Sequence, residues 1–201
     1  MDSRNQGLSE VLTSPAFARL VLHFALHGHE PEHVRSLQRR YGISMSSLNR
    51  ELRRMESLGL VSREEAGGRV LYRAVEESPG WNALRALIRG FADPAEVVEA
   101  GIRGTRGVDA AFVFGSFARG DARDDSDVDV LVVGDDLPGA TLGRDVAEAS
   151  VLLGRPVEVR TYTHEALRRQ LAAGNAVLRR IMAGPKRWIV GDEDRLAAAA
   201  G

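Results

Sequence analysis

Two carboxylates, Asp127 and Asp129, stand two residues apart at the head of the run 127–133, DVDVLVV. That alternation predicts a strand, and its period of two puts both acids on one face. Like charges so placed repel unless they are solvated, protonated or bridged by a cation. A Mg²⁺ carrying nucleotide phosphates is the usual bridge. Upstream, the apolar run 110–114, AAFVF, predicts a buried strand that ends at Gly115-Ser116. Gly115 lets the backbone approach a ligand, Ser116 offers a hydroxyl, and the N–H groups of such a turn suit a phosphate. The ordinary alternative is that Asp121, Asp124, Asp125, Asp127 and Asp129 form a solvated acidic loop running into an edge strand.

The string GSFARGDARDDSDVD at 115–129 joins a Gly-Ser turn, a gap of ten residues and paired acids on a strand. It resembles the signature of the DNA polymerase β-like nucleotidyltransferase superfamily, and in particular its minimal nucleotidyltransferase branch, over about residues 105–190. The resemblance implies a mixed-sheet domain in which Gly115 and Ser116 hold nucleotide phosphates and Asp127 and Asp129 ligate Mg²⁺ (or Mn²⁺). ATP or another NTP is the implied substrate. Arg119 is then a phosphate contact, with a surface salt bridge to Asp121 or Asp124 as the alternative. The family adds a third acid on a neighbouring strand. The run 154–162, GRPVEVRTY, predicts that strand, and Glu158 is its acid. The family usually has Asp there, so Glu158 either ligates with a longer reach or does not ligate. The implied reaction transfers a nucleoside monophosphate, AMP from ATP, to a hydroxyl of a protein or small molecule. In-line positioning and charge neutralisation carry such transfers.

Upstream of this stretch the chain reads as helices and a hairpin. After a polar lead-in, Ser14-Pro15 is a helix start, followed by helices over 16–27, 32–41 and about 46–58. Leu48, Leu52, Met55 and Leu58 form the apolar stripe of the third. Two β-prone runs flank Gly67-Gly68, a hairpin signal. Three helices and a hairpin resemble the winged helix-turn-helix of arsenic-repressor and MarR-type regulators, over about residues 14–76. The third helix would then enter the major groove of double-stranded DNA, with Arg50, Arg53 and Arg54 reaching phosphates or bases and Ser46, Ser47 and Asn49 reaching base edges. The alternative is that these arginines solvate a protein-docking helix.

The fold class expected is therefore α+β, with a winged helix over 1–78, a helical connector over 79–104 and a nucleotidyltransferase domain over 105–201. In the connector Trp81, Leu84, Leu87, Ile88 and Phe91 share one side, a face for core packing or for a homodimer. Later helices are expected over 140–153, with Leu142, Val146, Ala149 and Leu153 inward, from Thr163, and over 175–182. His164 is expected at a helix start rather than as a base, and the tail 194–201 is expected to fray. Charge divides with the domains: residues 1–90 are net +3 and residues 91–201 net −4, and nine arginines against four acids crowd 33–73. With no cysteine, disulfides and thiolate chemistry are excluded. No signal-peptide pattern or membrane span is legible, so a cytoplasmic protein without membrane contact is expected. A second functional reading is a transcriptional regulator whose nucleotidyltransferase domain is inactive and only binds nucleotide or mediates assembly.

Overall fold

The computed structural model describes residues 8–12, 14–123 and 125–200. The chain is α+β and divides after Asp93 into two compact units, each built on its own sheet. The stretch 79–104 is shared between them.

The first unit runs α1 (Leu8–Leu12), α2 (Pro15–His27), β1 (Glu32–His33), α3 (Val34–Tyr41), α4 (Met45–Ser57), β2 (Val61–Ala66), β3 (Arg69–Ala74) and α5 (Pro79–Phe91). Serine side chains start α2 and α4. Ser14 Oγ accepts from Phe17 N–H ahead of α2, and Ser44 Oγ from Ser47 N–H ahead of α4. Strands β1, β3 and β2 lie in that order, all antiparallel, and the β2–β3 turn passes through Gly67 and Gly68. Leu20, Leu37, Leu48, Leu52 and Met55 make the core. Helix α5 is tied to this unit by Trp81, whose Nε1–H donates to Leu60 O at 2.9 Å.

Several expectations need correction here. The polar lead-in contains α1, because Leu8 is buried. The helix expected from residue 32 starts at Val34, since Glu32 and His33 pair with Tyr72 and Leu71 as a strand and His33 Nδ1 then caps α3. Leu58 leaves the apolar stripe: it is the 55% exposed residue that ends α4, while Glu51 turns inward at 3% exposure. In α5, Trp81 and Ile88 are buried but Phe91 is exposed.

The second unit runs α6 (Pro94–Ile102), β4 (Ala110–Phe114), α7 (Gly115–Arg119), β5 (Val128–Val133), α8 (Gly139–Leu153), β6 (Val157–Tyr162), α9 (His164–Ala172), α10 (Ala176–Ala183), β7 (Arg187–Val190) and α11 (Glu193–Ala200). The sheet order is β6-β5-β4-β7. Strands β5 and β6 are parallel, joined by the crossover helix α8, and the other pairs are antiparallel. Strands β4 and β5 are covered on both faces, which is why they read as near-continuous apolar runs. On one face Phe112, Phe114, Leu131 and Val133 pack against Leu167, Leu178, Ile181 and Leu196 from α9, α10 and α11. The tail expected to fray is instead helical through Ala200, because Leu196 and Ala199 complete that core. In α8 the inward place expected of Val146 goes to Asp145, which is buried, while Val146 is half-buried. Among the described residues no helix is long and apolar enough to cross a membrane.

Candidate active site

The strand register sets the geometry. Phe114 of β4 lies opposite Asp129 of β5, and Asp129 lies beside Glu158 of β6, so the three form one row across the sheet. The next row on that face is Phe112, Leu131 and Arg160. The face that is apolar beneath α9–α11 thus ends in two acids. Asp127 precedes β5 by one residue and is exposed; Asp129 is half-buried and Glu158 exposed.

Gly115, the first residue of α7, has φ of +72°. A Cβ built on it would lie 2.4 Å from Asp129 Oδ2, so the carboxylate occupies the space a side chain at 115 would fill. Ser116 follows, and its carbonyl closes α7 by accepting from the N–H groups of Gly120 and Asp121. Burial raises the Asp129 carboxyl above the ordinary aspartate range and Glu158 raises it further. Arg160 pulls the other way, Asp127 adds to the rise and Arg119 opposes it. Asp129 is therefore the focus of two other acids and two guanidinium groups.

Of the residues named from sequence, Gly115, Asp127, Asp129 and Glu158 come together at this end of the sheet. Arg119 Nε donates to Asp121 at 3.1 Å with both side chains exposed, which is the surface pair given as its alternative. Asp124 lies outside the described residues. His164 is the first residue of α9, held between Asp109 at 3.1 Å and Asp135 at 2.9 Å, away from this row. Sequence reasoning misses Arg160, although its two-residue spacing from Glu158 puts it on the same face. It also misses Arg155, beside the turn that carries Asp127, for which no local pattern gives a signal.

Among the described residues no three His, Asp or Glu side chains gather tightly enough to enclose a metal ion by themselves. The donors present nonetheless suit a hard cation. Mg²⁺ is commonly held by one or two carboxylates, with substrate phosphates and water completing its shell. Asp127 and Asp129 provide two, and the disfavoured ionisation of Asp129 is what a neighbouring cation relieves.

In the first unit, α4 carries Ser46, Ser47, Asn49, Arg50, Arg53 and Arg54. Two of its arginines are engaged by the inward-turned acid. Arg50 donates through Nε and Nη2 to Glu51 Oε1 at 3.1 and 2.9 Å, and through Nη2 to Ser47 Oγ at 3.1 Å. Ser14 Oγ donates to the same oxygen. Arg54 lies over the Phe17 ring at 4.4 Å and 3.8 Å from Glu51 Oε2. Ser46 and Arg53 are exposed, and Ser47 and Asn49 are half-buried.

Residues 101–182, all in the second unit, match the family model of the nucleotidyltransferase domain. The matched stretch takes in β4 through β6, and with them Gly115, Ser116, Asp127, Asp129 and Glu158. No curated protein matches the chain.

Proposed function

We propose that the second unit is a nucleotidyltransferase that transfers a nucleoside monophosphate, AMP from ATP, to a hydroxyl of a protein or small molecule, and that the first unit is a winged helix that binds double-stranded DNA. The observation that carries the enzymatic reading is Asp129 seated against Gly115 in the row Phe114–Asp129–Glu158, with Asp127 at its lip. Asp127 and Asp129 would hold Mg²⁺ or Mn²⁺, which when bound neutralises triphosphate charge. Gly115 and Ser116 bring backbone and a hydroxyl against the phosphates. Arg160 and Arg119 offset negative charge beside the acids, and Glu158, one strand over from Asp129, adds a carboxylate at the edge of the site.

The order of helices and hairpin and the arginines of α4 support the DNA reading. The same α5 side that buries Trp81 leaves Phe91 exposed, which suits a homodimer contact.

One observation favours a second reading, a DNA-binding regulator whose nucleotidyltransferase domain only binds nucleotide or mediates assembly: the third acid is an exposed glutamate, Glu158, where the resembled family usually has Asp. Incubation of wild type, Asp127→Ala and Asp129→Ala with α-³²P-ATP and Mg²⁺ or Mn²⁺, in a lysate supplying acceptors, separates the two. A labelled product that disappears in both variants supports the transferase and identifies its acceptor. Nucleotide binding without label in the wild type supports the regulator.

A further inference from the structure

The turn ahead of Asp127 is closed on itself. Arg123 N–H donates to Ser126 Oγ at 2.8 Å, and Ser126 N–H donates to Arg123 O at 3.1 Å. Arg155, in the connection between α8 and β6, reaches this turn from far along the chain. Its Nη1 donates to Ser126 O at 3.3 Å and to Arg123 O at 3.4 Å. The neighbouring Pro156 O accepts from Val128 N–H at 2.9 Å. Residues 155 and 156 therefore hold the backbone on both sides of Asp127.

The same guanidinium lies 5.2 Å from the centroid of the Phe117 ring, on α7 and next to Ser116. Arg155 is itself seated: its N–H donates to Ser150 O, and Ser150 Oγ accepts from Val157 N–H at 3.1 Å. One planar group thus touches the residue that follows the Gly-Ser turn, Phe117, and the residue that precedes Asp127, Ser126. Arg is suited to this, since it combines several fixed donors with a face that stacks on a ring.

We propose that Arg155 is a positioning residue that keeps the Asp127 carboxylate in register with Gly115 and Ser116, and so sets the affinity of the site for a divalent cation with its nucleotide while touching neither. The proposal rests on the reading of Asp127 and Asp129 as the cation-holding pair.

The test uses the full chain and Mn²⁺ with a non-hydrolysable ATP analogue, free Mn²⁺ being followed by electron paramagnetic resonance well below each variant's unfolding midpoint. Arg155→Met keeps aliphatic bulk over Phe117 but removes the donors, and it should weaken binding about 10-fold, the low end of what removing a supporting partner of a metal ligand does. Arg155→Lys restores one donor and should recover part of that affinity, which a merely structural role does not require. Phe117→Leu should weaken binding in the same direction by less. Arg155→Met binding like wild type while Asp127→Asn does not bind would overturn this inference and leave the site reading intact. No binding by wild type, or full binding by Asp127→Asn, would sink both.

Discussion

Gly115 and Asp129 together disfavour any other residue at position 115 on two grounds. The backbone there has φ of +72°, and a Cβ would come 2.4 Å from Asp129 Oδ2. The close approach follows from the pairing of Phe114 with Asp129 across β4 and β5, which brings the turn of the motif onto its second acid. Gly115→Ala therefore combines a strained backbone with a clash against a carboxylate. It should cost about 1–3 kcal/mol of stability in the second unit and displace Asp129. Urea unfolding and Mn²⁺–nucleotide binding read the two effects separately. Unchanged values of both would show that Asp129 moves aside at no cost.

The raised Asp129 carboxyl makes a signed prediction about pH. Its folded form binds a proton more tightly than the unfolded chain does. The stability this proton confers is present below the ordinary carboxyl range and is lost as pH rises through the raised folded value. At neutral pH the ionised group, short of a cation, thus strains the site. Asp129→Asn should melt higher than wild type at neutral pH by about 3 °C, the gain shrinking as the pH falls through the raised folded value and vanishing below roughly 4, while label transfer is lost. A lower melting point at neutral pH would mean that the carboxylate is net stabilising as it stands.

Local chemistry is legible in the sequence, and interactions made at a distance are not. Ser14, Ser44, Thr163 and Asn175 all cap helices near where their types and spacing suggest. The strand β1 escapes because two residues carry no periodicity; only Tyr72 and Leu71, some forty residues on, make it a strand. The alanine-rich tail carries a local start, Asp192 Oδ1 accepting from Arg195 N–H at 3.0 Å, but is too short to hold a helix alone, and α11 exists through the packing of Leu196 and Ala199 on the sheet. Glu51 is readable in principle, since it lies three residues after Leu48 and four before Met55, on the inward stripe. Its charge argues for solvent until Ser14 and Arg50 supply partners. In the site, the spacing of Asp127 and Asp129 names the acids, but the register that sets Glu158 beside Asp129 needs the parallel pairing of β5 and β6.

Arg50 and Arg53 lie on the same helix but in different settings, and they should part company in a binding experiment. Arg50→Ala removes the guanidinium that partners Oε1 of a buried carboxylate, leaving Glu51 with Ser14 and the more distant Arg54. It should cost the first unit about 1–3 kcal/mol. Arg53→Ala should leave stability within about 0.5 kcal/mol. If α4 lies on DNA as proposed, Arg53→Ala should lower the slope of log K against log salt by about 0.9 for each phosphate that Arg53 neutralises. Duplex binding titrated across a salt series, alongside urea unfolding, resolves both. A slope unmoved by Arg53→Ala removes that residue from the interface.

His23 links the first unit to pH through burial. It is 0% exposed, its Nδ1 is 3.0 Å from Tyr41 Oη, and Nε2 lies 3.9 Å from Glu32 Oε2. Nε2 has no hydrogen-bond partner among the described residues. Burial holds its pKa well below the usual histidine value, and His27 and Arg40 push the same way. In the unfolded chain the ring protonates near pH 6.5, while in the folded unit it stays neutral to lower pH. Stability is therefore full above about pH 6.5 and falls on acidification, with a slope of up to about 1.4 kcal/mol per pH unit from this group. Unfolding followed by the buried Trp81 in a Trp188→Phe background reports the first unit. Wild type should lose stability between about pH 7 and 5, and His23→Leu should lose distinctly less over the same interval. Equal slopes in the two proteins would place the pH dependence elsewhere in the unit.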